Sequence, residues 1–383
     1  MDTRHQAARE RPLILYLVTV DWFFYSHFVE RALAARDAGY QVAVVCRPLQ
    51  HQDAIESLGI RVIPWSVSRN GVAPWRELGS LLQLMRIYRR ERPDLVHHVA
   101  LKPIVYGGLA ASFGTVGQIV NAPVGMGFTF SSKTVFARRL RPMIQFLYRR
   151  LLPIRGAKVV FENRDDRRDA IENRLVLASS AYLIRGAGVD LARFKPTPEP
   201  QGSVCISLIG RMLKEKGVEE FVCAARKLRE NGIDAQYWLV GPRDRENRGS
   251  LSERQLRDWE QEGLVTWLGE RCDIPTLLAE SHIVALPSYR EGLPKALLEA
   301  LAAGRPIITT DVPGCREVCE HGVNGLLVPP GDVDALAEAM RILIQSPAMR
   351  MAFGIAGRNR AEREFSNAKV ESDTLALYRV LLE

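Results

Sequence analysis

The sequence predicts an α/β protein built of two doubly wound parallel sheets, and three observations carry that prediction. Short apolar, β-branched runs alternate with longer amphipathic ones along the chain, the pattern of repeated βαβ units. Runs such as Leu13-Ile-Leu-Tyr-Leu-Val18 are continuously apolar, which suits strands covered by helices on both faces. Near mid-chain the alternation stops at Lys195-Pro-Thr-Pro-Glu-Pro-Gln-Gly202. That stretch can continue neither a helix nor a central strand, so it reads as an interdomain linker. A length of 383 residues fits two domains at roughly 150 residues each.

In the first half, strands are expected at Leu13–Val18, Gln41–Cys46, Val62–Trp65, Leu95–Val99, Gln118–Asn121 and Lys158–Phe161. After the break the pattern restarts with Val204–Ile209, Gln236–Val240, Val265–Leu268, Ile283–Leu286, Ile307–Thr310 and Leu326–Val328. The domains are therefore placed at 11–190 and 203–362, with 363–383 as a C-terminal helix crossing back to the first. Such sheets bind ligands at the carboxyl ends of their strands, so the two domains are expected to face a central crevice.

Composition narrows the class. At 47% hydrophobic and 25% charged, with mean hydropathy −0.08, the chain is a folded globular protein. Its net charge of +8 favours anionic partners: nucleotides, phospholipid surfaces or nucleic acid. No base-reading motif accompanies the charge, so nucleic acid is not expected. The six cysteines include no Cys-x-x-Cys pair, and no His cluster has metal-ligand spacing; reduced structural thiols, and neither metal nor cofactor, are expected. The N-terminal MDTRHQAARERP is charged, and no apolar run reaches the ~20 residues of a transmembrane helix. The expectation is a cytoplasmic protein that is soluble or lies on a membrane.

The densest chemistry is in Ser288-Tyr-Arg-Glu-Gly-Leu-Pro-Lys-Ala-Leu-Leu-Glu-Ala-Leu-Ala-Ala-Gly304. It follows an expected strand, Pro294 suits a first helical turn, and Gly304 suits the helix end. Glu291 and Gly292 then lie in the loop at the strand's carboxyl end, and Glu299 lies about one turn into the helix. Backbone N–H groups at a helix start serve oxyanions, and carboxylates serve sugar hydroxyls, so a polyhydroxy phosphorylated ligand fits. A second element, Ile209-Gly-Arg-Met-Leu-Lys-Glu-Lys-Gly217, also follows a strand. Arg211 and Lys216 there would project from the strand's carboxyl end, Arg as a bidentate phosphate contact and Lys as a point charge, which suits a phosphorylated ligand.

These segments resemble glycosyltransferase family 4, the retaining GT-B enzymes with an E-x(7)-E motif, here Glu291 and Glu299. The likeness runs from Ser288 through Val318, resumes in His-Gly-Val-Asn-Gly-Leu-Leu-Val-Pro-Pro-Gly-Asp (His321–Asp332), and extends in weaker form over almost the whole chain. The resemblance implies a GT-B fold: α/β, with two Rossmann-like doubly wound domains facing a central crevice. It also implies that Glu291, with the Gly292–Leu293 backbone, contacts the donor sugar and its phosphates. Glu299 would hold the ribose, and Gly210, Arg211 and Lys216 the diphosphate. The turn at Gly241 and the loop from Arg271 to Ile274 would sit near the base.

In the first half, the first strand ends in Val20-Asp-Trp-Phe-Phe-Tyr-Ser-His-Phe28, where many relatives have a Gly-rich turn. Ser26 and His27, at an expected helix start, would meet an acceptor, or the aromatics would be interface core. The fourth strand carries His97 and His98 and leads to Lys102. Family members often have an active-site histidine at this strand end, and either His97 or His98 answers to it. Gly125 and Gly127 follow the next strand as further acceptor-side candidates. Leu101-Lys-Pro-Ile-Val-Tyr-Gly107 together with Val124-Gly-Met-Gly-Phe128 resembles the branch that assembles bacterial surface or N-linked glycans on undecaprenyl diphosphate. That branch implies transfer of an N-acetylhexosamine, from a UDP-linked donor, to a lipid-linked saccharide. The stretch from Phe136 to Lys158 holds seven basic and no acidic residues among apolar ones, as suits an anionic inner-membrane surface or a packed helix with a basic outer face.

The rivals are a nucleotide-sugar epimerase or other enzyme of the same fold, and a non-catalytic membrane-associated protein on it. A dinucleotide oxidoreductase fits less well than either, since no G-x-G-x-x-G follows the first strand.

Overall fold

The computed structural model describes residues 11–68, 74–114, 116–124, 146 and 148–383. Its contacts divide the chain into two compact units, Met1–Ala187 with Ala368–Glu383, and Gly188–Asn367.

The first unit runs β1 (Leu13–Val20), α1 (Asp21–His27), α2 (Val29–Asp37), β2 (Gln41–Arg47), α3 (Gln52–Ser57), β3 (Arg61–Pro64), α4 (Pro74–Glu91), β4 (Leu95–Val99), α5 (Leu101–Ala111), β5 (Gln118–Ala122), β6 (Lys158–Phe161), α6 (Arg164–Glu172) and β7 (Ala181–Leu183). Its strands are all parallel, in the order β3-β2-β1-β4-β5-β6-β7. The continuous apolar run of β1 has the expected cause. Ile14, Tyr16 and Val18 pack on one face with Phe24 of α1, Ala32 of α2 and Phe28 between the two helices. Leu13, Leu15 and Leu17 pack with Leu84, Ile87 and Tyr88 of α4 on the other. Strand β7 escapes sequence reading because Ala181-Tyr-Leu183 is too short to show a period.

The second unit runs β8 (Cys205–Ile209), α7 (Val218–Glu230), β9 (Gln236–Val240), α8 (Glu253–Gln261), β10 (Thr266–Gly269), α9 (Ile274–Glu280), β11 (Ile283–Leu286), α10 (Lys295–Ala302), β12 (Ile307–Thr310), α11 (Cys315–Val318), β13 (Gly325–Val328), α12 (Val333–Gln345) and α13 (Pro347–Arg360). Its strands are again all parallel, in the order β10-β9-β8-β11-β12-β13. The last helix, α14 (Asn367–Leu382), buries Val370, Leu377 and Tyr378 in the core of the first unit.

The Pro-rich stretch is not the boundary, which falls at Ala187 and Gly188. Residues 195–202 belong to the second unit because two arginines tie them down. Arg305 donates to Thr197 Oγ1 at 2.6 Å and to the Pro198 carbonyl at 3.2 Å, and Arg350 pairs with Glu199. Proline breaks regular structure, but it does not prevent a segment from packing.

Candidate active site

In both sheets the strand order reverses once, between β1 and β4 and between β8 and β11. Loops leaving two such strands diverge to opposite faces and leave an opening at their carboxyl ends. In the second unit those loops carry the motif residues.

The loop after β8 is held open by backbone pairing that continues past the strand ends. Gly210 N–H donates to the Val240 carbonyl at 2.8 Å, and Gly241 N–H donates to the Gly269 carbonyl at 2.7 Å. Gly241 has φ +142°, and a methyl group on it would overlap the Gly210 carbonyl, so no other residue fits without moving the loop. Leu213 bridges Ser250, and a single 3₁₀ turn, Lys214–Lys216, ends in Gly217 at φ +72°. There a Cβ would strike the Pro287 carbonyl beyond β11. Tyr289 N–H donates to the Glu215 carbonyl at 3.0 Å. The two loops are thus one knitted unit across the reversal point.

That knitting brings Lys216 to Glu291. The ammonium lies 2.5 Å from Glu291 Oε1, and their side chains are 19% and 10% exposed. Ser288 Oγ donates to the same carboxylate oxygen at 2.7 Å. Arg211 Nη1 lies 2.5 Å from Asp244 Oδ2, in the loop after β9. Asp244 also accepts from Glu246 N–H at 3.2 Å, so the carboxylate is fixed before it holds the guanidinium. Asp244 carried no motif signal, and only the pairing of its loop with Met212–Lys214 reveals it.

Glu299 sits in the second turn of α10, with its side chain 12% exposed and Lys295 Nζ 3.9 Å away. Burial raises its pKa above the usual carboxyl range, against the pull of Lys295 and Arg193. Gly292 lies in the loop before α10, Leu293 is buried beneath it, and Pro294 is the N-cap. Arg271 is half-exposed and bound to Asp273 at 2.5 Å, while Ile274 opens α9. The structure therefore gathers Gly210, Arg211, Lys216, Gly241, Glu291 and Gly292 around one reversal point, with Arg271 and Ile274 beyond the neighbouring strand ends.

The first unit departs further from expectation. His97 and His98 lie inside β4 rather than at its end, both fully buried, and alternation sends their rings to opposite faces. His98 is taken on both nitrogens, by Asn121 Oδ1 at 2.8 Å and the Tyr88 hydroxyl at 2.9 Å. The ring fills the space over Gly107, where a Cβ would collide with it. Burial lowers its pKa to about 4. His97 Nδ1 meets the Tyr378 hydroxyl of α14 at 2.6 Å, and its ring stacks on Tyr16. Burial, with Arg31 and His98 nearby, holds its pKa well below the ordinary value. Both rings lie in the core of the first unit, which corrects their expected position at the strand's end.

Ser26 and His27 also move, from a helix start to the last turn of α1, which begins at Asp21. His27 stacks on Phe23 at 4.4 Å. Asp21 takes the place of a Gly-rich turn: its carboxylate accepts from the N–H groups of Leu49, Gln50 and His51 at 2.6–2.8 Å. Burial alone would raise its pKa, but these and the Trp22 N–H hold it lower. Lys102 donates to the Ser68 carbonyl at 2.8 Å and to Glu77 at 3.3 Å, and Tyr106 donates to the same Glu77. The Lys-Pro-x-x-Tyr signature thus clamps α5 to α4. Gly125 and Gly127 lie outside the described residues. At the end of β4, Ala100 adopts φ 74° and ψ 171°, a region that costs a non-glycine residue about 1–3 kcal/mol.

Two parallel doubly wound units, one bearing paired cations and carboxylates at its reversal point, define a glycosyltransferase of the GT-B class. The family model for Glycosyl transferase 4-like matches residues 13–154, and that for Glycosyl transferases group 1 matches residues 204–346; the chain belongs to this glycosyltransferase family. It is 27% identical over 331 residues, 83% of this chain and 85% of the relative, to the N,N'-diacetylbacillosaminyl-diphospho-undecaprenol alpha-1,3-N-acetylgalactosaminyltransferase of Campylobacter jejuni. It is 27% identical over 282 residues, 69% of this chain and 70% of the relative, to the UDP-Gal:alpha-D-GlcNAc-diphosphoundecaprenol alpha-1,3-galactosyltransferase of Escherichia coli. Among solved structures, sucrose-phosphate synthase from Thermosynechococcus elongatus superposes with a TM-score of 0.80 at 19% identity, over 97% of this chain and 99% of that one. At that identity the likeness is one of fold.

Proposed function

We propose that this glycosyltransferase moves an N-acetylhexosamine, with retention, from a UDP-linked donor to an undecaprenyl-diphosphate-linked saccharide during bacterial surface or glycoprotein glycan assembly. The observation that carries the reading is the Lys216–Glu291–Ser288 cluster at the reversal point, with Arg211 on the adjoining loop. The acceptor class rests on the two relatives, whose names both specify a diphospho-undecaprenol-linked sugar, and the UDP donor on the name of the second.

In this mechanism Arg211 and Lys216 exchange their carboxylate partners for the donor diphosphate, so no metal is needed to disperse its charge. Glu291, released from Lys216, receives sugar hydroxyls, and Glu299 receives the ribose. The acceptor oxygen bonds to the anomeric carbon on the face from which the diphosphate leaves, and the bond to the phosphate oxygen breaks. The acceptor's proton passes to that departing oxygen. A lipid-linked acceptor calls for an enzyme at the cytoplasmic face of the inner membrane, and the basic composition of 136–158 suits that anionic surface; residues 136–145 and 147 lie outside the described residues.

A panel of nucleotide sugars assayed for nucleotide release, with and without undecaprenyl-diphosphate-linked saccharide, tests the proposal. Release from a UDP-N-acetylhexosamine that depends on the lipid-linked acceptor is expected. Conversion of the donor to its epimer without acceptor, or transfer only to a soluble sugar, overturns it.

A further inference from the structure

The sheet of the first unit has one face on which exposed apolar side chains collect. Helices α1, α2 and α14 cover the face of Ile14, Tyr16 and Val18. Helices α4 and α5 cover the other, where Leu84, Tyr88, Ala110 and Ala111 meet Leu13, Leu15 and Leu17. The helical residues around Tyr148 continue this second layer, since Leu151 packs against Gly108 of α5. Of the fourteen exposed large apolar side chains among the described residues, six belong to this layer: Trp75 (84% exposed), Leu78, Leu82, Leu109, Phe113 and Phe146. Scattered singly such residues need no explanation, but concentrated in one layer they mark an interaction surface.

Helix α4 shows how the surface is built. Trp75, Leu78, Leu82, Arg86 and Arg89 follow one another at spacings of three and four and are all exposed, so they form one outward line. Ser80, Leu84, Ile87, Tyr88 and Glu91 point inward. The helix carries acidic residues only at Glu77 and Glu91, and neither is presented outward. Glu77 is occupied by Lys102 and Tyr106, while Glu91 is buried between Arg61 and Arg90. The outward charge is therefore entirely positive, and exposed Arg149 and Arg150 add to it from the neighbouring helical segment. A cleft of about 270 Å³ beside the line is lined by Ile63, Pro64, Gln83, Arg86, Ile87 and Arg90.

We infer that the α4–α5 layer is the surface by which the protein docks on an anionic phospholipid bilayer, with Trp75, Leu78 and Leu82 entering the interface and Arg86 and Arg89 at the phosphates. An in-plane amphipathic helix with aromatic and leucine residues on one part and arginines on the other is suited to that boundary. A second copy of the chain suits it poorly, because an isologous contact would set one arginine cluster against another. The inference rests on the membrane association proposed above and names its surface; it requires neither donor nor acceptor chemistry.

The test is sedimentation of the full chain with vesicles of phosphatidylcholine, alone or containing phosphatidylglycerol. Wild type is expected to sediment with the anionic vesicles and to be released by salt. A Trp75→Ser, Leu78→Ser, Leu82→Ser triple variant should lose sedimentation. The Arg86→Gln, Arg89→Gln double variant should bind about thirtyfold more weakly, at about fivefold per arginine for ~1 kcal/mol each. Both should keep the wild-type circular dichroism and melting temperature, since all five side chains point outward. A Trp75-dependent blue shift in fluorescence on adding anionic vesicles gives a second readout. Equal binding to neutral vesicles, unchanged binding of the triple variant, or a wild-type dimer that this variant converts to monomer would each overturn the inference. Failure of nucleotide release would leave the vesicle result standing, so the two proposals fail separately.

Discussion

Lys216 and Glu291 hold each other at 2.5 Å, so each is the other's charge compensation. Removing one partner of a fully buried pair costs about 3–5 kcal/mol through the charge left behind, and this pair, with side chains 19% and 10% exposed, approaches that limit. Lys216→Ala and Arg211→Ala are each expected to lower kcat about 10²–10³-fold, the cost of losing one preorganised charge-stabilising group. Nucleotide release at saturating donor, read beside thermal melts, separates this from unfolding; near-normal turnover in both variants would sink the assignment. At His98 the expectation concerns stability instead. Its pKa is about 4 when folded against 6.5 ordinarily, so between those values the unfolded chain binds the extra proton. The stabilisation is complete above about pH 6.5 and is lost as pH falls toward 4, by roughly 3 kcal/mol over the window. A His98→Gln variant should show a flatter loss of melting temperature over that range, and an unchanged slope would contradict the buried neutral ring.

At the level of elements, the glycines of the loops at the second unit's reversal point set the tolerances. Gly241→Ala places a methyl group on the Gly210 carbonyl at a φ of +142° and should destabilise the second unit by about 1–3 kcal/mol. Because Gly210 leads directly into Arg211, donor affinity should fall as well. Calorimetric melting with a donor titration checks both, and a variant with wild-type values would mean that the two strand ends are not packed as described. Elements of this kind were legible in the sequence wherever a periodic run was long. All twelve expected strands occur, shifted by at most two residues at an end, and among the described residues only the three-residue β7 was missed. The loops that meet at the reversal point were legible because glycine, arginine, lysine and glutamate fall immediately after strands, where the fold itself makes an opening. The histidines were not, because a pair of polar residues in a strand looks the same whether it ends the strand or lies in its middle. The alternation of β4 does show that adjacent rings cannot share one site. Asp244 was hidden for a different reason: its role comes from loop pairing across some thirty residues, which leaves no periodic trace.

On the scale of the whole molecule, the chain does not divide into consecutive halves, because its last helix belongs to the first unit. Helix α14 buries Val370, Thr374, Leu377 and Tyr378, and the Tyr378 hydroxyl lies 2.8 Å from that of Tyr16 on β1 and 2.6 Å from His97 on β4. The first unit therefore has to wait for the end of the chain before its core is complete, and its central strands carry polar groups that only α14 satisfies. Tyr378→Phe leaves the Tyr16 hydroxyl and the His97 nitrogen buried without that partner, at about 1–3 kcal/mol. Deleting residues 367–383 removes the apolar contacts as well and should lower the melting of the first unit by far more. The second unit keeps its own core, built from Val189 to Phe365, and its transition should move little. Differential scanning calorimetry of the three proteins, with donor added to mark the second unit by ligand stabilisation, resolves which transition shifts. If the truncated chain melts in both units as wild type does, α14 is an ornament on the first sheet rather than part of its core.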